Sequence, residues 1–224
     1  MDADGIWQAR TMTLELLALS FRYPSVELAA AVVSGEWADA AQELSDVLGL
    51  ALPAGLGDDV ASHANGETIT DAEAALHALR AEATRLLIGV PKPVLASSEG
   101  LWRAAEDGVD PLRFVNPHSV AVEAFMRSCG MGQPEGSNEP LDYIATELEF
   151  MQALCAVEAG ISPLLDESLA VGDLPGGSAA GAYGLFMREH VFAWMPAFAD
   201  AVRAEARLPF YRAAGQLLRA YLEA

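Results

Sequence analysis

Apolar residues recur at intervals of three and four along most of this chain, which is the spacing of one face of an α-helix. The first such stripe consists of Leu14, Leu17, Ala18 and Phe21. The stripe ends before Tyr23-Pro24, because a proline cannot continue a helix. No segment alternates apolar and polar residues as a half-buried strand does. The sequence therefore predicts an all-α fold, a single-domain globular helical bundle with long connecting loops over residues 1–224.

Glycine and proline divide the rest of the chain into predicted helices and loops. The predicted helices cover residues 26–48 with a break near Gly35, 71–88, 118–131, 139–159, 183–206 and 209–222. The predicted loops cover residues 51–70, 94–117, 130–137 and 172–184. Within the second of these loops, short helical turns are expected near Leu101-Trp102.

The charge of the chain restricts its partners. Acidic residues outnumber basic residues by 32 to 13, which gives a formal net charge of −19. Nucleic acids and anionic membrane surfaces select for basic patches, so both are disfavoured as partners. The first four residues lack the positive charge of an export signal, and no apolar run reaches the roughly 18 residues of a membrane span. We therefore expect a cytoplasmic protein without stable membrane insertion.

Motifs for catalysis and metal binding are missing from the sequence. It contains no phosphate-binding GxxxxGK[ST] loop, and the single lysine, Lys92, lies between two prolines. The four histidines form no HxxxH or HExxH pair, and His190 lies between two aromatics at helical spacing, as a packed histidine does. Cys129 and Cys155 fall on apolar stripes, where buried free thiols are common. We expect no catalytic residue, no metal and no cofactor.

The segment from residue 139 to 155 is unusual because both faces of the predicted helix carry apolar residues. One stripe consists of Leu141, Ile144, Ala145, Leu148, Met151 and Cys155. The other face combines polar residues with two aromatics: Glu139, Asp142, Thr146, Glu149, Tyr143 and Phe150. Either neighbouring helices bury both faces, or the second face binds an apolar peptide with basic residues at one end. The charge pattern favours the second interpretation, since residues 128–187 contain nine acids and no lysine or arginine.

Five short motifs follow one another along the chain in a recognisable order. They are the N-terminal helix ending at Tyr23-Pro24, Arg85-Leu86-Leu87-Ile88-Gly89, Ser97-Ser98-Glu99-Gly100-Leu101-Trp102, Glu139-Pro140-x-Asp142-Tyr143-Ile144 with Glu147-Leu148-Glu149-Phe150-Met151, and His190-x-x-x-Trp194-x-Pro196-x-Phe198 with Phe210-Tyr211. In these motifs the chain resembles the TorD/DmsD-type redox-enzyme maturation chaperones over nearly its whole length. It departs from the family pattern at Tyr143, Gly100 and Leu87, where the family has histidine, serine and phenylalanine.

The resemblance implies a cytoplasmic, all-helical chaperone without catalytic activity. Such chaperones bind the twin-arginine signal peptide, or the folded body, of a molybdopterin-dependent oxidoreductase and hold it for cofactor insertion before export. The peptide-binding residues expected on this basis are the acids Glu99, Glu139, Asp142 and Glu147, and the apolar or aromatic residues Leu86, Leu87, Trp102, Pro140 and Tyr143. The resemblance also implies a monomer or a domain-swapped dimer.

Two alternatives stay open at this point. One is a related chaperone for an oxidoreductase subunit that is not exported, as in the NarJ-like branch. The other is a nucleotide-binding hydrolase, which the missing phosphate loop and the near absence of lysine disfavour.

Overall fold

The computed structural model describes residues 3–89, 92–108, 116–132, 140–164, 166 and 168–224. Within these residues the regular secondary structure is helical, apart from two isolated bridges between Ser62 and Thr68 and between Ser98 and Tyr143. The helices are α1 (Ala3–Phe21), α2 (Val26–Ser34), α3 (Glu36–Leu48), α4 (Ala72–Ala83), α5 (Glu99–Glu106), α6 (Pro117–Ser128), α7 (Ile144–Glu158), α8 (Ala179–Phe186), α9 (Phe192–Glu205) and α10 (Pro209–Glu223). The predicted all-α fold is confirmed.

Two π-helical turns interrupt the regular helices. One follows α4 at Thr84–Ile88, and the other joins α8 to α9 at Met187–Val191. Such turns bulge the backbone and are found mostly inside or at the ends of α-helices. Both turns are helical and directly continue the neighbouring α-helices. The sequence therefore predicts one continuous helix over residues 71–88 and another over 183–206.

The chain divides into two compact units, each built from two segments of the sequence. Unit 1 consists of Met1–Glu15 and Ser97–Met195, and unit 2 consists of Leu16–Ala96 and Pro196–Ala224. Both α1 and α9 supply residues to each unit. A single domain over residues 1–224 stays a prediction.

Several predicted boundaries in unit 2 are confirmed. α2 and α3 are separated at Gly35, which has a φ of 88°. Glycine takes this left-handed conformation without strain, so the chain breaks at that position. Residues 50–70 form turns, as predicted. α4 then begins after Asp71, whose Oδ1 accepts the N–H groups of Glu73 and Ala74 at 2.9 and 3.1 Å.

The core of unit 2 is closed by α10, in which eleven of fifteen residues are buried. The ring centroids of Phe210 and Trp37 are 5.1 Å apart in an edge-to-face arrangement, which joins α10 to α3. The Tyr211 hydroxyl donates to the carbonyl oxygen of Leu79 at 3.3 Å, which joins α10 to α4. Trp37 Nε1–H donates to Ser20 Oγ at 2.9 Å. These contacts link four helices of the unit.

Glu82 is a buried acid of unit 2, with 6% of its surface exposed. Its carboxylate accepts the backbone N–H of Arg207 at 2.6 Å and the Nε and Nη2 groups of Arg85 at 2.9 and 2.8 Å. Arg85 Nη2 also donates to the carbonyl oxygen of Glu205 at 2.7 Å. Burial acts to raise the pKa of Glu82, but these hydrogen bonds and the two arginine charges outweigh it, so the pKa is lowered.

An aromatic cluster forms part of the core of unit 1. The ring centroid of Phe150 lies 4.8 Å from that of Phe186 and 6.1 Å from that of Phe125. Phe186 also lies 4.9 Å from His190, which is 5% exposed and therefore packed, as predicted. Phe150 has no exposed surface. The interpretation that places Phe150 on an accessible peptide-binding face is therefore wrong.

The predicted loop over residues 172–184 is wrong in its second half, because α8 begins at Ala179. The first N–H groups of this helix have acceptors outside it. Ser178 Oγ accepts from Gly181, and the Glu158 carboxylate accepts from Ala180, both at 2.9 Å. These caps stabilise a helix start that the glycine content of the segment disfavours.

Both cysteines are buried free thiols, as predicted. Burial raises the pKa of Cys155 to about 12 and also raises the pKa of Cys129. The thiolate is the nucleophile and metal ligand, so both side chains are inert near neutral pH.

Among the described helices, none is by itself long and apolar enough to span a membrane. α1 and α2 satisfy such a test only as a pair, by length and composition, across a bend of 111°.

Candidate functional site

Six of the nine predicted binding residues lie in unit 1, around the start of α7. They are Glu99, Trp102, Pro140, Asp142, Tyr143 and Glu147. Leu86 and Leu87 are buried in unit 2. Glu139 lies outside the described residues. The candidate site is therefore described from the six residues of unit 1.

The start of α7 is defined by the pairing of two segments that are distant in sequence. The N–H of Ile144 donates to the carbonyl oxygen of Ser97 at 2.9 Å, and the N–H of Glu99 donates to the carbonyl oxygen of Asp142 at 3.0 Å. Tyr143, between the paired positions, is extended. α7 consequently begins at Ile144. The predicted start of this helix near residue 139 is wrong. Asp142 precedes the helix and does not lie on its polar face.

Asp142 links three segments of unit 1 through its carboxyl group. Its Oδ2 accepts the N–H of Gly100 at 3.0 Å and the hydroxyl of Ser119 at 2.6 Å. Asn116 reaches the same place, because its Nδ2 donates to the carbonyl oxygen of Gly100 at 2.8 Å. Asp142 is 4% exposed. The arrangement fixes α5, the beginning of α6 and the segment before α7 as one framework.

Gly100 permits this close approach because it has no side chain. A Cβ at this position would contact Ser119 Oγ and would come within 2.8 Å of Asn116 Nδ2 and 2.9 Å of Asp142 Oδ2. Contacts this short require neighbouring atoms to move. The departure from the serine of the family motif therefore has a local structural reason in this chain.

Glu99 is completely buried and pairs with two basic side chains. Its Oε1 is 2.7 Å from Arg103 Nη1, and His190 Nδ1 lies 3.2 and 3.1 Å from the two carboxyl oxygens. The first contact joins successive turns of α5, and the second joins α5 to the π-helical turn before α9. A buried carboxylate is tolerated in a protein interior only with such partners.

Glu147 lacks equivalent partners and has no exposed surface. Its Oε2 accepts the indole N–H of Trp194 at 3.2 Å, whereas Oε1 has no hydrogen-bond partner within the described part of the chain. Burial, followed by the negative charge of Glu99, raises the pKa of Glu147 well above its usual range. The Trp194 hydrogen bond opposes this rise, and the charge of Asp142 adds to it. The site therefore favours the protonated form of this carboxyl group.

We expect Glu147→Gln to make the protein more stable than the wild type at alkaline pH. A raised pKa in the folded state means that the wild type loses stability as pH rises from the unfolded value, about 4.3, through the folded value. Glutamine cannot ionise, so the variant lacks this loss. Urea unfolding midpoints of both proteins at several pH values between 4 and 9 test the expectation.

The control for this experiment is Glu149→Gln, a half-buried acid two residues along α7. This variant keeps Glu147, so its stability should still fall as pH rises. Parallel curves for the wild type and Glu147→Gln would show that Glu147 is ionised in the folded protein at neutral pH.

The accessible part of the site is apolar rather than acidic. Pro140 is exposed, Trp102 and Tyr143 are half-buried, and Leu101 of α5 is 37% exposed. The paired segments hold the backbone of these residues in place. The site thus presents aromatic and apolar side chains on a rigid framework, with its acids beneath them.

The acidic stretch between Arg127 and Arg188 gives less negative surface than its sequence suggests. Three of its nine acids lie outside the described residues: Glu135, Glu139 and Glu167. Two are buried, Asp142 and Glu147. Three accept backbone N–H groups, Glu158, Asp166 and Asp173. Electrostatic attraction of a basic peptide by this stretch is therefore weaker than the sequence predicts.

Several residues that build the site escaped the sequence analysis. They are Arg103, Asn116, Ser119, His190 as a partner of Glu99, and Trp194 as a partner of Glu147. The pair of Glu99 and Arg103 has the i, i+4 spacing of a helical ion pair and was open to prediction. The other contacts join segments far apart in the chain, and no local pattern indicates them.

The described residues include no group of three or more histidine, cysteine, aspartate or glutamate side chains placed to hold a metal ion. Glu99 is occupied by Arg103 and His190, and Asp142 is occupied by Gly100 and Ser119. These residues therefore stabilise the framework that carries the accessible apolar surface.

Comparison with known proteins gives one clear family assignment. A search of curated proteins found no match. The family described as the nitrate reductase delta subunit matches residues 33–200, about three quarters of the chain. Proteins of this family are non-catalytic assembly chaperones, in agreement with the predicted lack of catalytic activity, and they bind a subunit of nitrate reductase or a related molybdoenzyme. The chain belongs to the nitrate reductase delta subunit family of redox-enzyme assembly chaperones.

Proposed function

We propose that this protein binds the catalytic subunit of a nitrate-reductase-like molybdoenzyme in the cytoplasm and holds it while the molybdopterin cofactor is inserted. The observation that carries this proposal is the family match over residues 33–200, which includes Glu99, Asp142 and Glu147. This is the NarJ-like alternative of the sequence analysis, in which the client need not be exported.

The geometry of unit 1 supports a role in partner binding through its accessible apolar residues. Trp102 lies one turn after Glu99 on α5, and Tyr143 lies between the paired segments. Rigid aromatic residues on a fixed backbone lose little conformational freedom on binding, so they contribute efficiently to affinity. The buried acids hold α5 and α7 in place and, in this proposal, act on binding only indirectly.

Tyr143 is the residue through which the proposal is best tested. We expect Tyr143→Ala to lower the affinity for the client by at least about tenfold, because truncation of an aromatic residue that anchors an interface costs about 2 kcal/mol or more. Tyr143→Phe should lower it much less, because the ring contributes more contact area than the hydroxyl. The measurement is titration of each variant with the cofactor-free catalytic subunit of a nitrate-reductase-like molybdoenzyme from the same organism.

Melting temperatures and cofactor loading complete this test. If both Tyr143 variants lose stability and the affinity follows only the folded fraction, Tyr143 supports the fold and does not contact the client. The catalytic subunit expressed together with the chaperone should contain severalfold more molybdenum than the catalytic subunit expressed without it. Equal molybdenum content in the two preparations would contradict the proposed function.

A twin-arginine signal peptide is the second candidate client segment. It is favoured by the absence of lysine and arginine between Arg127 and Arg188, although the buried positions of Asp142 and Glu147 weaken that support. A labelled twin-arginine peptide and its twin-lysine counterpart distinguish the two possibilities. Preference for the arginine form would indicate bidentate guanidinium recognition and an exported client, whereas binding of the catalytic subunit without any signal peptide would indicate the NarJ-like function.

A further inference from the structure

The carboxyl group of Glu147 is placed where a negative charge is poorly supported. The side chain has no exposed surface, and its Oε1 has no hydrogen-bond partner in the described part of the chain. Its Oε2 accepts one hydrogen bond, from the neutral indole N–H of Trp194 on α9 at 3.2 Å. Buried polar groups normally have partners, and an exception often belongs to a group with a functional role. The geometry by itself therefore favours a neutral, protonated carboxyl group.

The charged groups on the elements around Glu147 add to this preference. Burial is the main reason that the pKa of Glu147 is raised, and the negative charges of Glu99 on α5 and Asp142 before α7 act in the same direction. The basic groups of this region do not compensate, because Arg103 of α5 and His190 of the π-helical turn are both paired with Glu99. Ionisation of Glu147 would thus add a third carboxylate to one buried part of unit 1.

Short connections lead from Glu147 to the two aromatic residues of the accessible surface. The N–H of Glu147 donates to the carbonyl oxygen of Tyr143 at 3.0 Å, in the first turn of α7. Glu99 lies one turn before Trp102 on α5. Repulsion between the carboxylates of Glu147 and Glu99 would act against the two backbone hydrogen bonds that pair the segments before α5 and α7. Protonation of Glu147 therefore helps to keep Trp102 and Tyr143 in their relative positions.

A client that covers this surface should in turn favour the protonated form. Pro140 is exposed, and Trp102 and Tyr143 are half-buried, so an apolar client segment on them would remove water from above the buried acids. A carboxylate is less stable where water is removed, because its charge is then less well solvated. Client binding and protonation consequently favour each other, and such a coupling is reciprocal.

We propose that the client binds more tightly to the form of the protein in which Glu147 is protonated, so that affinity for the client falls as pH rises. This inference rests on the proposed function, because it concerns the regulation of the same surface. Where the free protein is ionised at Glu147, client binding takes up one proton from water. Glu147 is a positioning residue in this account, since it acts through Tyr143 and Trp102 and does not contact the client.

The first test measures affinity for the cofactor-free catalytic subunit at several pH values between 5.5 and 9, with wild type and Glu147→Gln in parallel. The ratio of the two affinities at each pH cancels any titration of the client itself. Between the two ends of this range, the affinity of the wild type should fall about tenfold relative to that of the variant, since one linked proton changes affinity by at most tenfold per pH unit. Circular dichroism at each pH verifies that the compared proteins are folded.

The matched control is Glu149→Gln, which removes a half-buried acid from the same helix and keeps Glu147. Its affinity for the client should still fall as pH rises, relative to that of Glu147→Gln. A Glu149→Gln profile as flat as that of Glu147→Gln would overturn the proposal, because the effect would then belong to the charge of the helix in general.

The second test observes the proton without relying on client affinity. The indole N–H of Trp194 donates to Glu147, so its resonance in the nitrogen-15-labelled protein should move as Glu147 ionises. The resonance is assigned by its loss in Trp194→Phe. Addition of the catalytic subunit should displace this movement to higher pH, as reciprocity requires.

The outcomes separate this inference from the proposed function. If the catalytic subunit binds at no pH, the proposed function is contradicted and the inference fails with it. If the subunit binds but the affinity ratio is constant, the inference is overturned and the proposed function stands. A Trp194 resonance that does not move between pH 5.5 and 9, or that moves equally in Glu147→Gln, would also overturn the inference.

Discussion

Replacement of Asp142 with alanine is expected to lower the free energy of unfolding by about 3 kcal/mol, because two donors lose a buried acceptor. An unsatisfied buried donor costs about 1–3 kcal/mol, and the Gly100 N–H and the Ser119 hydroxyl both donate to this carboxyl group. For a chain of this length the change corresponds to a fall in melting temperature of about 6–12 °C. Thermal and urea unfolding followed by circular dichroism measure it.

Two control variants separate the role of Asp142 from a general effect of removing an acid. Ser119→Ala removes one donor and leaves the bond to Gly100, so it should cost about 1 kcal/mol. Asp173→Ala, at an exposed position, should cost less than Asp142→Ala. If Asp142→Ala is no more destabilising than Asp173→Ala, the carboxyl group does not hold α5 and α6 to the start of α7.

This expectation changes how a loss of client binding at Asp142 should be interpreted. From its helical spacing, Asp142 is expected on an accessible helix face, where a variant would weaken binding and leave the fold intact. The structure places it inside the framework, with 4% exposure. We now expect any loss of affinity in an Asp142 variant to accompany a loss of stability.

Replacement of Glu82 with alanine is expected to destabilise the protein by about 3 kcal/mol. Removal of one partner of a buried ion pair typically costs about 3–5 kcal/mol. The partial exposure of the Arg85 side chain, 23%, places the expected cost at the lower end, because water can reach the guanidinium group. Glu82→Gln should be milder, since the amide oxygen can still accept the N–H of Arg207.

The pH dependence of stability gives an independent check on Glu82. Its pKa is lowered in the folded state, so its contribution is present above the unfolded pKa and is lost as pH falls through the folded pKa. The wild type should therefore lose more stability than Glu82→Gln as pH falls below about 4.3. The matched control is Glu205→Ala, because Glu205 accepts a hydrogen bond from Arg85 through its backbone carbonyl, and its carboxylate adds only the weakest of the charge interactions with Arg85. Equal acid sensitivity of the wild type and Glu82→Gln would contradict this account.

The elements that could be predicted from sequence are those with a local physical cause. The stripe from Leu14 to Phe21 is buried, and the chain breaks at Gly35, because helical spacing and a left-handed glycine act over a few residues. His190 is packed against Phe186, four residues earlier, as its spacing indicated. The family and the absence of catalytic function also followed from motifs in the sequence.

The elements that could not be predicted depend on residues brought together from distant segments. The start of α7 at Ile144 results from hydrogen bonds to Ser97 and Glu99, and helix patterning alone extends that helix backwards through Asp142. The burial of Glu147 and its partner Trp194 has no signal in the spacing of either residue. The start of α8 depends on a cap from Glu158 at the end of α7.

The division of unit 2 into two sequence segments has a consequence for synthesis on the ribosome. α3 and α4 emerge before α10. α10 packs on Trp37 and donates a hydrogen bond from Tyr211 to the carbonyl oxygen of Leu79, but it follows only after the 99 residues of Ser97–Met195 have been made. At roughly 5–20 residues per second, this interval lasts about 5–20 s. During that time the nascent chain displays apolar surface that it cannot yet cover by itself. A protein of a chaperone family thus passes through a stage in which it is itself open to aggregation or to capture by other chaperones.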